Sequence, residues 1–192
     1  MGWLDGPDAG TIHDFRLALP AGLAADPLLA RAPAIEQAVA AVLNGAAEND
    51  VFNRLVVQTA LSAREVEWLR ALYRYLRQAN TTFTIYTVVD ALAGAPDVTR
   101  ALVTLLRQRH DPAFAGEREE AARATTQAIR TGLSRVTAIN DDRVLRLYWQ
   151  VIEAFLRTNT FAPAGDPAQG GALAFKFDSA LVPGLPKPVP WR

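Results

Sequence analysis

The fold class is decided by residues 62–77, SAREVEWLRALYRYLR. Ser62 and Glu65 have the spacing of a capping box, in which each side chain accepts a hydrogen bond from a backbone amide at a helix start. The apolar residues that follow recur every three or four positions and form one stripe, which consists of Val66, Leu69, Tyr73 and Leu76, with Leu72 beside it. The stretch therefore predicts a long helix with one buried face.

Helical patterns continue on both sides of this stretch. The further helices are predicted at residues 27 to about 44 (divided at Pro33), 49–59, 85–92, 96–109, 117–137 and 143–158. The last of them carries the widest apolar stripe, so we expect it to be the central core helix, capped by residues 140–142, NDD. The predicted fold is mainly α, a helical bundle-like domain of about six to seven helices with a short orphan strand near each end.

The two orphan strands are predicted at residues 11–19 and 173–177, where apolar residues alternate or cluster between Gly-rich and Pro-rich segments. A strand without a partner leaves its backbone groups unpaired, so we expect both strands to belong to sheets completed outside the chain. The predicted division is therefore 1–25 as the tail of a preceding domain, 26–160 as the helical domain, and 161–192 as a loop, strand and Pro-rich lead-in to a missing domain.

Composition excludes several classes of function. Lys plus Arg and Asp plus Glu both number 20, so no net charge attracts nucleic acid or an anionic membrane. The chain has no cysteine, which removes disulfides, thiolate catalysis and cysteine-based metal sites. It shows no signal peptide and no stretch of roughly 20 apolar residues. We therefore expect a cytoplasmic protein with no nucleic-acid or membrane partner.

Candidate metal and acid–base residues all have a simpler structural explanation. His13 and His110 are far apart and lack the short spacing to carboxylates that a metal site needs. The acidic cluster, Glu117, Glu119 and Glu120, fits the start of a solvated helix, where the dipole favours negative charge. Asp141 and Asp142 are neighbours that point in different directions, and helix capping explains them. We expect no catalytic and no metal-binding residue among them.

Three other features could bind a ligand or a partner. Gly170-Gly171 lacks the strand, helix and third glycine of a dinucleotide-binding turn, so no cofactor-binding residue is predicted. The arginine stripe, Arg70, Arg74 and Arg77, is predicted to be a solvated helix face because Glu65 and Glu67 lie close by, and it remains a candidate interface. Residues 183–186, PGLP, have the spacing that polyproline-binding modules recognise, and we interpret them as a linker.

Two stretches carry a family resemblance. The first runs from residues 48–56, ENDVFNRLV, through 61–66, LSAREV, to 72–78, LYRYLRQ. The second comprises 156–161, LRTNTF, with 175–179, FKFDS, and 182–188, VPGLPKP. Both closely resemble the large bacterial NAD-specific glutamate dehydrogenases. Ala63, Thr160 and Ala174 depart from that family, which often has a tryptophan, an aromatic residue and a serine there.

The resemblance implies a non-catalytic position in the parent enzyme. In that family these stretches join N-terminal ACT-like regulatory domains to the catalytic domain, and residues 12–15, IHDF, resemble the closing strand of an ACT-like domain. The parent reaction oxidises L-glutamate to 2-oxoglutarate and ammonium with NAD, in a cytoplasmic homo-oligomer. The family's catalytic lysine and Rossmann glycines have no matching positions, and Lys176 does not match that lysine. The implied partners are the other domains and subunits.

The residues alone leave one alternative open. With no predicted catalytic, cofactor-binding or metal-binding residue, the alternative is a stand-alone helical protein-interaction module, with the arginine stripe or the Pro-rich tail as its contact surface. An enzyme in its own right is disfavoured, because the sequence supplies no nucleophile with a base, no ligand cluster and no phosphate cradle.

Overall fold

The computed structural model describes residues 25–79, 81–162 and 172–188. The chain divides into two compact units, Met1–Ala32 and Pro33–Arg192. The described part of the first unit contains a short helix, α1, at Ala25–Leu29. The second unit contains nearly all the remaining secondary structure, and the core and the sites discussed below belong to it.

Eight α-helices and two strands make up the regular structure of the described residues. After α1 the helices are α2 (Ala32–Leu43), α3 (Arg54–Gln58), α4 (Ala63–Gln78), α5 (Ile85–Gly94), α6 (Pro96–His110), α7 (Arg118–Leu133) and α8 (Ile139–Glu153). The strands are β1 (Phe155–Thr158) and β2 (Phe175–Phe177), and 3-10 turns lie at Val51–Asn53 and Ser179–Leu181. The prediction of a mainly α fold is confirmed.

The capping box at the start of α4 is present as predicted. The Ser62 amide donates to the Glu65 carboxylate at 2.7 Å, and the Glu65 amide donates to the Ser62 hydroxyl at 3.3 Å. The two bonds satisfy backbone donors that a helix start leaves free. Of the predicted apolar stripe, Val66, Leu69 and Leu76 are buried together with Leu72, whereas Tyr73 is half-buried.

The core is formed chiefly by α4, α5, α6 and α8, with α7 packed along α6. Helix α8 buries five of its side chains and packs closely against α5, so the prediction that it is a core helix is confirmed, although α4 and α6 bury six side chains each. Gly132 of α7 allows the close approach of α6, because a Cβ atom at this position would overlap the Val98 side chain. Small residues at helix crossings let backbones pack closely in this way.

The C-terminal part of the fold corrects two predictions. Helix α8 ends at Glu153 and not at residue 158, because Phe155–Thr158 pairs as an antiparallel strand with Phe175–Phe177. The strand predicted at 173–177 is therefore not an orphan, since its partner lies within the chain. The apolar period of α8 continues through Phe155, so the helical pattern hid the strand, and tertiary pairing decided its conformation. The strand predicted at 11–19 lies outside the described residues.

Several helix boundaries also differ from the prediction. Asn140–Asp142 do not cap α8: the helix begins at Ile139 behind Ala138, and the aspartates lie in its first turn. The predicted helix at 49–59 is a 3-10 turn followed by α3. The turn starts at Asp50, whose carboxylate accepts a hydrogen bond from the Phe52 amide at 2.9 Å. The predicted 117–137 helix ends at Leu133. The interruption predicted at Pro33 falls between Leu29 and Ala32, so Pro33 lies in the first turn of α2.

Candidate functional site

The most densely connected polar group of the described residues is Arg70, on α4. Its side chain is 2% exposed, so the prediction that the arginine stripe forms a solvated face is wrong for this residue. Arg74 and Arg77 are exposed as predicted, and Arg74 pairs with Glu48. Helical spacing placed Arg70 on a polar face, whereas the preceding chain folds back and covers it.

A network of acceptors surrounds the Arg70 guanidinium. Its Nε and Nη2 atoms donate to the two carboxylate oxygens of Asp50 at 2.8 and 2.9 Å, and Nη2 also donates to Asn53 Oδ1 at 2.8 Å. Glu67, one turn earlier on α4, accepts from Nη1, and the Phe52 ring lies 5.6 Å from the guanidinium carbon. A planar guanidinium suits such two-point pairing with a carboxylate.

Electrostatics at Arg70 favour the charged form. Burial by itself would lower the pKa of the guanidinium, but hydrogen bonds and charges from Asp50 and Glu67 outweigh burial and raise the pKa above its ordinary value. Asp50 therefore has two functions, since one carboxylate starts the 3-10 turn and also anchors that turn to α4. The network is structural: it fastens the segment before α3 to the long helix.

The predicted acidic sites remain at helix starts. Glu119 and Glu120 are exposed in the first turn of α7, and Glu117 precedes it without a side-chain capping bond. Asp142 pairs with Arg146 one turn later on α8 at 2.8 Å. Within the described residues, no group of three or more His, Asp or Glu side chains is placed to hold a metal ion.

His110 lies at the end of α6, where its ring packs 5.7 Å from Phe155. Burial, followed by the positive charges of Arg109 and Arg118, lowers the pKa of the imidazole, and Nε2 is buried without a hydrogen-bond partner among the described residues. The residue therefore acts as a neutral packing group. His13 and Gly170-Gly171 lie outside the described residues.

The C-terminal hairpin packs on α4 through aromatic side chains. Phe177 stacks on Tyr75 with ring centroids 4.3 Å apart, and Phe161 meets the edge of Trp68 at 5.2 Å. Arg64 at the start of α4 donates to the Thr160 carbonyl. Such pairs add to the stability that simple burial provides. A two-stranded sheet is marginal alone, so α4 supplies the support that β1 and β2 need.

Helix α4 is joined to α8 by a buried hydrogen bond. The Tyr148 hydroxyl donates to the Leu69 carbonyl at 3.0 Å, and complete burial raises the pKa of this phenol well above its ordinary range. Nearby, Arg109 of α6 pairs with Glu153 of α8 at 2.5 Å. Helices distant in sequence are therefore joined by directed polar contacts as well as by the apolar core.

The segment predicted to be a linker, residues 183–186, is attached to the core. Val182 just before it is buried, and Leu185 packs against the core cluster. Gly184 has φ of +77°, and a Cβ there would lie 3.3 Å from the Ala79 carbonyl oxygen at the end of α4. Glycine is therefore required for this turn to approach the helix closely.

Two family models of known proteins match most of this chain between them. A family model described as glutamate dehydrogenase, helical motif 3, matches residues 47–112, and one described as bacterial NAD-glutamate dehydrogenase, catalytic domain, matches residues 128–192. This chain is similar in sequence to segments of the bacterial NAD-specific glutamate dehydrogenases. The helical-motif match contains α4 and α6, and the catalytic-domain match contains α8 and the hairpin. The contacts that α4 and α6 make with α8 and the hairpin therefore join the two matched ranges.

Three relatives carry the name NAD-specific glutamate dehydrogenase. The one from Pseudomonas aeruginosa is 37% identical over 182 residues, and the one from Halomonas elongata is 38% identical over 182 residues. Each alignment covers 93% of this chain and 11% of the relative. The Mycobacterium tuberculosis relative is 32% identical over 156 residues, which cover 80% of this chain and 10% of that protein. The chain thus spans about a tenth of the length of these relatives.

Two features of the site were missed from the sequence, and both depend on distant residues. The Asp50–Arg70 pair spans 20 positions, although the Asp50 capping position and the Glu67–Arg70 spacing are visible signals. The strand β1 was concealed within an apparent helix.

No described helix is long and apolar enough to cross a bilayer.

Proposed function

We propose that this chain is a non-catalytic support segment of an NAD-specific glutamate dehydrogenase, and that it holds the catalytic part of the enzyme against preceding regulatory domains. The parent reaction is the oxidation of L-glutamate to 2-oxoglutarate and ammonium, with reduction of NAD to NADH. The names of the relatives support this reaction and this cofactor. The proposed setting is a cytoplasmic homo-oligomer, with other domains and subunits of the enzyme as partners.

One observation carries the proposal: a single hydrophobic core crosses from the helical-motif match to the catalytic-domain match. Leu69 and Leu72 of α4 belong to the same buried cluster as Val144 and Val151 of α8. A shared core makes two segments move as one body, because interiors are packed at crystal-like density and resist sliding. This property suits a segment that positions a catalytic domain.

Glutamate-dependent NADH formation tests the proposal. The 192-residue chain is compared with a longer product of the same gene that extends it at both ends. We expect activity only in the longer product, because the chain lacks the residues that match the family's catalytic lysine and Rossmann glycines. Activity of the 192-residue chain alone would contradict the support role, and inactivity of both proteins would favour a stand-alone interaction module.

A pair of matched variants tests the support role within the longer product. Tyr75→Ala removes the stacking on Phe177, and we expect a lower kcat because the catalytic-domain match loses part of its support. Tyr86→Ala is the control, since Tyr86 is 61% exposed on α5 and should leave kcat unchanged. Equal kcat values for Tyr75→Ala and the unmodified enzyme would show that the contact does not contribute to positioning.

A further inference from the structure

A surface groove of about 510 Å³ lies between α6, α7 and α8, and its lining includes no residue of the Arg70 network. Its walls are rich in charged and aromatic side chains. The relevant residues are three arginines, one tryptophan and two glutamates, namely Arg109, Arg123, Arg130, Trp149, Glu119 and Glu153. This combination is suited to recognition of anions, because guanidinium groups bind carboxylates at two points.

One wall of the groove is held in place by its own contacts. Arg109 pairs with Glu153 at 2.5 Å, and the Trp149 indole Nε1 donates to Glu153 Oε1 at 3.0 Å. The opposite charges of Arg109 and Glu153 cancel, and the two contacts orient the indole ring. This wall therefore offers a fixed aromatic surface with little net charge.

The other wall, along α7, carries Arg123 and Arg130 against one carboxylate, Glu119, and is therefore net positive. Arg123 and Arg130 are exposed, and among the described residues neither has a carboxylate within ion-pair distance. They are seven positions apart on α7, which places them on one face about 10.5 Å apart along the helix axis. Arg130 also lies with its guanidinium carbon 5.8 Å from the centre of the Trp149 ring, which limits its range of positions.

We propose that this groove binds an acidic segment of a protein partner, whose carboxylates pair with Arg123 and Arg130. The spacing favours a segment over a small anion, because Arg130 is held against Trp149 and starts about 10.5 Å along the helix from Arg123, so two separate carboxylates can pair with the two arginines without bringing them together. In a polyproline II segment, which has three residues per turn and rises about 3.1 Å per residue, side chains three residues apart lie on the same face about 9 Å apart. A Glu-x-x-Glu pattern in this conformation therefore matches the two arginines.

A binding experiment with the purified 192-residue chain tests this proposal. The probe is a labelled synthetic peptide with Glu at every third position, and its counterpart has Gln at the same positions. We expect the Glu peptide to bind with an affinity that falls as salt is added, and the Gln peptide not to bind. The double variant Arg123→Glu/Arg130→Glu should weaken binding more than about tenfold, because two attractive charges are replaced by two that repel the Glu side chains of the peptide.

The matched control is the double variant Arg77→Glu/Arg135→Glu, which makes the same change in net charge at two exposed arginines outside the groove. It should retain binding. Equal weakening in both variants, no binding by the unmodified chain, or full displacement of the peptide by inorganic phosphate at the peptide's own concentration would each overturn the proposal. Circular dichroism checks that both variants fold. The assay needs no dehydrogenase activity, so its failure leaves the proposed function standing.

Discussion

Replacing Arg70 with methionine should be the most destabilising single change in the polar framework. Methionine retains much of the buried aliphatic volume but removes every hydrogen bond to Asp50, Asn53 and Glu67. Removing one partner of a buried pair costs about 3–5 kcal/mol when the other partner stays buried. Asp50 is 22% exposed and Glu67 is 33% exposed, so water can partly replace the arginine. We therefore expect a loss of about 2–3 kcal/mol.

Urea unfolding of the purified chain, followed by circular dichroism, measures this loss. With a denaturant slope of about 2 kcal/mol per molar, the unfolding midpoint should fall by about 1–1.5 M. Arg74→Met is the matched control, because Arg74 is on the same helix and its pair with Glu48 is exposed, so its cost should be about 0–1 kcal/mol. Equal midpoints for the Arg70 and Arg74 variants would refute the conclusion that the buried network anchors the segment before α3.

Three further predictions concern a cap, a turn and a titrating group. Ser62→Ala should lower the free energy of unfolding by about 1 kcal/mol in the same urea assay, because it removes half of the capping box, whereas Ser62→Asp should retain most of the stability. Gly184→Ala should lower the melting temperature, since a left-handed backbone costs a non-glycine residue about 1–2 kcal/mol. The added methyl group would also lie close to the Ala79 carbonyl oxygen. An unchanged melting temperature would contradict the turn geometry. The free energy of unfolding should fall as pH drops below the ordinary histidine pKa of 6.5, because His110 binds a proton more readily in the unfolded chain than in the folded one. Unfolding measured at several pH values should show a weaker pH dependence for His110→Phe. An unreduced dependence would assign the effect to other groups.

The resemblance to bacterial NAD-specific glutamate dehydrogenases could be recognised from the amino-acid sequence alone, in residues 48–78 and 156–188, and the family models and relatives confirm this resemblance. The boundaries 1–25, 26–160 and 161–192 stay a prediction. The catalytic-domain family model begins its match at residue 128, and the hairpin that follows α8 packs on α4.

Local signals determined most of the helices in this protein. The Ser62–Glu65 capping box, Pro96 at a helix start and the three-to-four spacing of apolar residues all act within one or two turns, so they can be interpreted from adjacent positions alone. Tertiary structure decided what depends on distant residues. Phe155–Thr158 became a strand because Phe175–Phe177 lies beside it. Arg70 became buried because Asp50 folds onto α4. In both cases the stabilising free energy comes from contact with a partner about 20 positions away. The spacing of neighbouring residues does not indicate which distant residue will be that partner.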